Sequence, residues 1–148
     1  LKSGRCISLD EGPYVLTEYD YETEYRYLIA QTKKLISSGY IPIIAHVERY
    51  KCLIEEPDLC GELQNAGALI QVNADDVLGL GGRRTKSLCK KLLKCELVDI
   101  IASDTHNLTN RANHMQDCYH YVLKKYGQEY ATDLVERNAR EILNHDKI

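Results

Sequence analysis

Four short apolar runs in this chain each lead into a polar residue of a kind that moves protons or binds metal. YVLT runs into Glu18, IPIIA into His46, ALIQV into Asn73, and VDIIAS into Asp104 with His106 two residues later. Two carboxylates and two imidazoles brought to one rim would supply the donor set of a Zn, Mn or Fe site, since these ions accept carboxylate oxygen and imidazole nitrogen together. One such residue alone says little, because a lone His at a strand end is more often a hydrogen-bonded structural residue. Recurrence at successive strand ends is the informative feature. In Asp104-Thr105-His106 an extended backbone would turn both functional side chains the same way, because side chains alternate along a strand.

Arg49 follows His46 by three residues, and Arg111 follows His106 by five. Exposed arginines commonly make surface ion pairs of small energetic weight. Beside metal ligands, the planar and permanently charged fork is better suited to gripping phosphoryl oxygens. His114 opens a helix just after the Asp104 loop and can face the same rim, whereas His120 and His145 fall on late helical segments and read as surface residues. A thiolate phosphatase needs a nucleophilic Cys six positions before an Arg in a phosphate-cradling loop. None of the six cysteines has Arg there, which excludes that chemistry.

The elements that must position these residues alternate in type. Arg5 to Glu18 holds two β-prone runs around the turn signal Asp10-Glu11-Gly12-Pro13, which predicts a hairpin or edge pair. Asp20 offers an N-cap for an amphipathic helix from Tyr21 that Gly39 stops. Ile41 to Ala45 predicts a buried strand, Asp58 to Asn65 a helix, and Ala68 to Val72 a second buried strand. Gly79, Gly81 and Gly82 predict a loop before a helix over Thr85 to Lys94. A strand from Val98 to Ala102 then precedes two amphipathic helices, one ending at Gly127 and one running from about Gln128 to Leu143. Strands alternating with helices imply parallel βαβ units, hence an α/β fold whose ligand site forms at the C-terminal strand ends.

The bulk properties agree with a single soluble unit. The chain has 148 residues, 44% hydrophobic and 28% charged, and no apolar run approaches the length of a membrane span. A formal charge of -3 gives no electrostatic reason to expect broad nucleic-acid binding. The six cysteines form no Cys-x-x-Cys pair, so free thiols in a reducing cytoplasm are expected. With eleven Tyr and neither Phe nor Trp, tyrosine supplies all the large aromatic packing.

PIIAHVERY, ALIQVNA and above all IASDTHNLTNRANHM resemble the successive strand-end motifs of bacterial metal-dependent tyrosine phosphatases of the polymerase and histidinol phosphatase (PHP) type, which control capsule and exopolysaccharide synthesis. YVLTEY resembles the preceding motif, and the similarity reaches Asn138 and Leu143. The resemblance implies the C-terminal part of a distorted (β/α)7 TIM-like barrel, with up to three Mn, Fe or Zn ions. It implies metal ligation by Glu18, His46, Asp104 and His106, with phosphate binding by Arg49 and Arg111. The implied substrate is phosphotyrosine on the Tyr-rich tail of a cognate bacterial tyrosine kinase in the cytoplasm.

Members of that family begin with a His-x-His strand and further Asp and Glu ligands ahead of the region matching Lys2. The present sequence opens without them and without an initiator Met or signal sequence. The expectation is therefore that residues 1–148 are a partial PHP domain whose exposed sheet edge favours self-association. Two other readings stay open: a phosphatase of small esters such as histidinol phosphate on the same rim, and an inactive fragment that acts in binding.

Overall fold

The computed structural model describes residues 8–105, 113–146 and 148. Four strands form one parallel sheet in sequential order: β1 (Tyr14–Thr17), β2 (Ile41–Ile44), β3 (Leu69–Asn73) and β4 (Ile100–Ala102). Between them lie α1 (Tyr25–Ser37), α2 (Lys51–Glu55), α3 (Leu59–Asn65), α4 (Ala74–Leu78) and α5 (Arg83–Lys94). After β4 come α6 (Met115–Tyr126), α7 (Gln128–Thr132) and α8 (Asn138–Leu143). The α/β reading holds, with each crossover between neighbouring strands carrying at least one helix.

Strand alternation divides the core. Ile44, Ile70 and Ile101 point to the face where the main cluster gathers, with Leu28, Leu53, Leu63, Leu92, Val122 and Leu134 from the helices. Their sequence neighbours Ile43, Leu69 and Ile100 point to the opposite face and meet Tyr14 and Ile142. Both faces are covered, so these strands are continuous apolar runs and not alternating ones.

Helix ends follow local chemistry. Ser37 is the last residue of α1, and Gly39 takes a φ of 84°, which lets its own N–H reach the Ile36 carbonyl and the Tyr40 N–H reach that of Leu35. This is the Schellman closure that a glycine at this position signals.

Three expectations are corrected, and one element is added. No hairpin precedes β1 among the described residues, and residues 1–7 of the anticipated first run lie outside them. Leu9–Glu11 is a 3-10 turn with Asp10 and Glu11 at positive φ, and the segment packs on the chain's far end, where the Tyr14 hydroxyl donates to the Asp146 carbonyl. Asp20 does not cap α1: its carboxylate accepts the Glu22 N–H at 2.9 Å and closes a separate turn, so the helix starts at Tyr25. Residues 74–78, to which the sequence reading assigned no element, form α4 with Ala74 and Val77 buried. The last amphipathic stretch contains a π-helical turn at Asp133–Arg137 between α7 and α8.

The two sheet faces differ in what a truncation should cost. Ile70 is fully buried in the main cluster, so Ile70→Ala should destabilise the fold by about 2–5 kcal/mol. Leu16 is 56% exposed, and Leu16→Ala should change stability by no more than about 0.5 kcal/mol. Denaturant unfolding of both variants checks this pair of values.

Candidate metal and phosphate site

The C-terminal ends of all four strands face one rim. A cavity of about 370 Å³ opens there, with Glu18, His46, Gln71, Asn73 and Asp104 among its lining. Apolar side chains from the sheet and from the chain's end, including Ile43, Ile100 and Ile142, form the rest of its wall. Glu18, His46, Asn73 and Asp104 were each anticipated from the sequence, and the fold brings them together. His106 and Arg111 lie outside the described residues.

His46 leaves β2 in a left-handed conformation, with φ 36° and ψ 54°, and Asp104 leaves β4 with φ 48°. Such backbone is costly for residues with a Cβ, and it gathers at sites where the surrounding structure enforces it. The positive φ at Asp104 means that the chain leaves the extended conformation there, so the condition attached to side-chain alternation in this stretch is not met at Asp104.

A ladder of amides holds the rim. The His46 backbone N–H donates to Gln71 Oε1 at 2.8 Å, Gln71 Nε2 donates to Asn73 Oδ1 at 2.9 Å, and Asn73 Nδ2 donates to Asp104 Oδ2 at 3.1 Å. Three strand ends are thus tied in one line of hydrogen bonds. Asn73 sits in the ladder as a positioner of Asp104.

The His46 ring contacts Glu18, with Nε2 3.1 Å from Oε1. That separation is what two donors bound to one ion at about 2.0–2.2 Å would have. The ring nitrogen turned to Glu18 is Nε2, so an ion shared by the two side chains would be held through that nitrogen. Nδ1, on the other side of the ring, is buried without a hydrogen-bond partner among the described residues. Among the described residues, no group of three or more His, Cys, Asp or Glu side chains is arranged to hold an ion. Glu18 and His46 are accordingly one pair of donors, with Asp104 farther along the rim.

Arg49 stands in the 3-10 turn Val47–Arg49 directly after His46. Its Nε and one Nη donate to Asp76 Oδ2 at 3.2 and 3.1 Å, and its other Nη lies 3.6 Å from Asp104 Oδ2. Partial burial works against its charge, but a hydrogen bond with the Tyr21 side chain and the nearby Asp76 carboxylate outweigh this and hold the guanidinium more firmly protonated. The arginine is neither a free surface group nor a simple surface ion pair.

Glu48 and Asp76 escaped the sequence reading. Both are buried, at 0% and 1% exposure. Glu48 Oε1 accepts the Asn73 backbone N–H at 3.0 Å. Burial, together with the neighbouring Asp76 carboxylate, pushes the Glu48 carboxyl well above the usual carboxylate range. Asp75, beside Asp76, accepts a hydrogen bond from His114 Nδ1 at 2.8 Å. The available signal was the pair Asp75-Asp76 directly after the polar end of β3.

The remaining candidates fall away from the rim. His120 is exposed, and His145 Nε2 lies 2.8 Å from the Asp10 carbonyl oxygen. Burial pushes the thiols of Cys60 and Cys118 up to about 12, so neither is a thiolate near neutral pH.

The chain is similar to known proteins over nearly its whole length. It is 32% identical to the tyrosine-protein phosphatase YwqE of Bacillus subtilis over 148 residues, all of this chain and 58% of that one. It is 33% identical to the tyrosine-protein phosphatase CpsB of Streptococcus pneumoniae, over 97% of this chain and 61% of that one. The chain thus spans about three-fifths of the length of these curated relatives. Its fold superposes with a TM-score of 0.89, at 32% identity, on a chain from the crystal structures of YwqE and CpsB, described as metal-dependent tyrosine phosphatases; 96% of this chain and 57% of that one are covered. The family described as capsular polysaccharide synthesis, CpsB/CapC, matches residues 1–144, and the chain belongs to that family.

Proposed function

We propose that this chain carries part of the active centre of a metal-dependent protein-tyrosine phosphatase acting in capsule or exopolysaccharide synthesis in the cytoplasm. The observation that carries this reading is the Glu18–His46 contact at the strand-end rim, with Arg49 turned toward Asp104 beside it. The relatives' names and the high structural similarity support the substrate class. No helix among the described residues is long and apolar enough to cross a membrane.

In this reading Glu18, His46, Asp104 and His106 hold divalent ions, up to three Mn, Fe or Zn, and Arg49 and Arg111 bind the phosphoryl group. Bound ions would supply an activated water nucleophile and neutralise charge on the transferring phosphoryl. The chain's own part is positioning. The amide ladder fixes Asp104, the turn after β2 fixes His46 and Arg49, and the apolar wall near Ile43 and Ile100 limits water on one side. The sequential parallel order of β1 to β4 supports an arc of a distorted (β/α)7 barrel. The substrate proposed is a phosphotyrosine protein, with the Tyr-rich tail of a bacterial tyrosine kinase as its source. The outer edges of β1 and β4 carry no strand among the described residues, which supports strand pairing there with a second copy.

Metal binding separates ligands from phosphate binders. His46→Ala should lower bound Mn or Zn by at least about tenfold in affinity, since a lost ligand costs at least as much as the tenfold to hundredfold seen for outer-shell partners. Arg111→Lys should leave metal content unchanged while turnover of a phosphotyrosine peptide falls, because the planar fork is lost and the charge kept. Elemental analysis beside peptide hydrolysis reads both effects, and an Arg111→Lys variant with undiminished turnover would remove that residue from the mechanism.

The nucleophile can be tested without mutating the rim. Chelation should abolish hydrolysis and added Mn should restore it, whereas Cys52→Ser, a near-isosteric change at a partly buried side chain that is no part of the rim, should leave the rate within about twofold. Loss of activity in Cys52→Ser together with indifference to chelator would refute the metal reading.

A further inference from the structure

We infer that Asp76 is the positioning residue that aims Arg49 at a phosphoryl group, an inference that rests on the proposed role of Arg49 in phosphate binding. A long arginine side chain loses rotamer freedom when it is held in one pose. Here that pose is set by contacts already in place. Asp76 Oδ2 takes two donors from one edge of the guanidinium, which leaves the other Nη directed along the rim, 3.6 Å from Asp104. Tyr21 also holds the guanidinium, and its ring stands edge-on to His46 with centroids 5.6 Å apart and planes at 82°.

Asp76 is itself immobilised. It lies in the first turn of α4 at 1% exposure, with the fully buried Glu48 as a neighbour. Gly81 comes so close that a Cβ there would fall 1.8 Å from Asp76 Oδ1. The glycine is needed for this close approach and not for its φ, which lies outside the left-handed region. A carboxylate boxed in this way presents Arg49 in a fixed direction before any ligand arrives, which lowers the ordering cost of binding. The adjacent Asp75 holds His114 at 2.8 Å, so the same turn of α4 also ties down the chain that returns from the β4 loop.

A purely structural ion pair and a positioning pair differ in what they do to phosphate. The test is nuclear magnetic resonance of the chain with labelled arginine, following the Arg49 Nε–H signal during titration with inorganic phosphate. The wild type should show that proton protected from exchange and shifted by phosphate. Asp76→Asn should lose the protection and bind phosphate about tenfold more weakly, the size expected for a charge-assisted hydrogen bond. The same substitution in an Arg49→Lys background should cause no further loss. Gly81→Ala, which displaces the Asp76 carboxylate without changing charge, should reproduce the Asp76→Asn result and decides the matter if that variant does not fold. Unchanged phosphate affinity in a folded Asp76→Asn variant, or an equal further loss in the Arg49→Lys background, overturns the role of Asp76 and leaves that of Arg49 standing. Phosphate that leaves the wild-type Arg49 signal unmoved overturns both.

Discussion

Two carboxyl groups buried side by side beneath the rim constrain everything above them. Removing even one carboxylate from water carries an effective cost of several kcal/mol, and two adjacent anions would add their repulsion. Arg49 sits against this pair, 3.1 Å from Asp76 Oδ2, while burial and the neighbouring Asp76 carboxylate push the Glu48 carboxyl well above its usual range. Glu48 also accepts the Asn73 N–H, so the turn after β2 is bound to the end of β3. Arg49, the end of β3, the start of α4 and the tight approach of Gly81 all meet at that pair.

From there the rim is a matter of parallel topology. Parallel strands deliver their C-terminal ends to the same side of a sheet, and sequential strand order sets those ends in a row. Gln71, Asn73 and Asp104 then form a line of hydrogen bonds across neighbouring strands, and Glu18 meets His46 at the other end of it. The left-handed backbone at His46 and Asp104 belongs to the same economy of space, because each side chain must leave its strand and turn at once into the cavity. A buried amide ladder stays in place because each member has a partner. The imidazole of His46, whose Nε2 faces Glu18 at the rim, is the natural place for a ligand.

Much of this was legible in the residues. The apolar runs before His46, Asn73 and Asp104 marked the buried strands, and polar residues ending such runs marked the rim. Gly39 and Gly127 marked helix ends through the backbone freedom that glycine allows. What stayed hidden depends on partners distant in sequence. Glu48 looks like a surface residue between His46 and Arg49 until Asn73 and Asp76 are set beside it. Asp75 and Asp76 drew no assignment from the sequence, because the helix they start depends on the burial of Ala74 and Val77. Asp20 satisfied the sequence rule for a helix cap, but its carboxylate found a nearer N–H in its own turn. The bend at Asp104 could not be seen because alternation predicts direction only while the chain remains extended.

The account turns on whether the Glu18–His46 end of the rim binds an ion. X-ray absorption spectroscopy on the Zn-loaded chain, measured for the wild type and for His46→Ala, addresses this at the atoms concerned. The account predicts nitrogen and oxygen donors at about 2.0–2.2 Å, with imidazole scattering in the wild type that weakens in the variant. A shell of oxygen donors alone, identical in the two proteins, would contradict it.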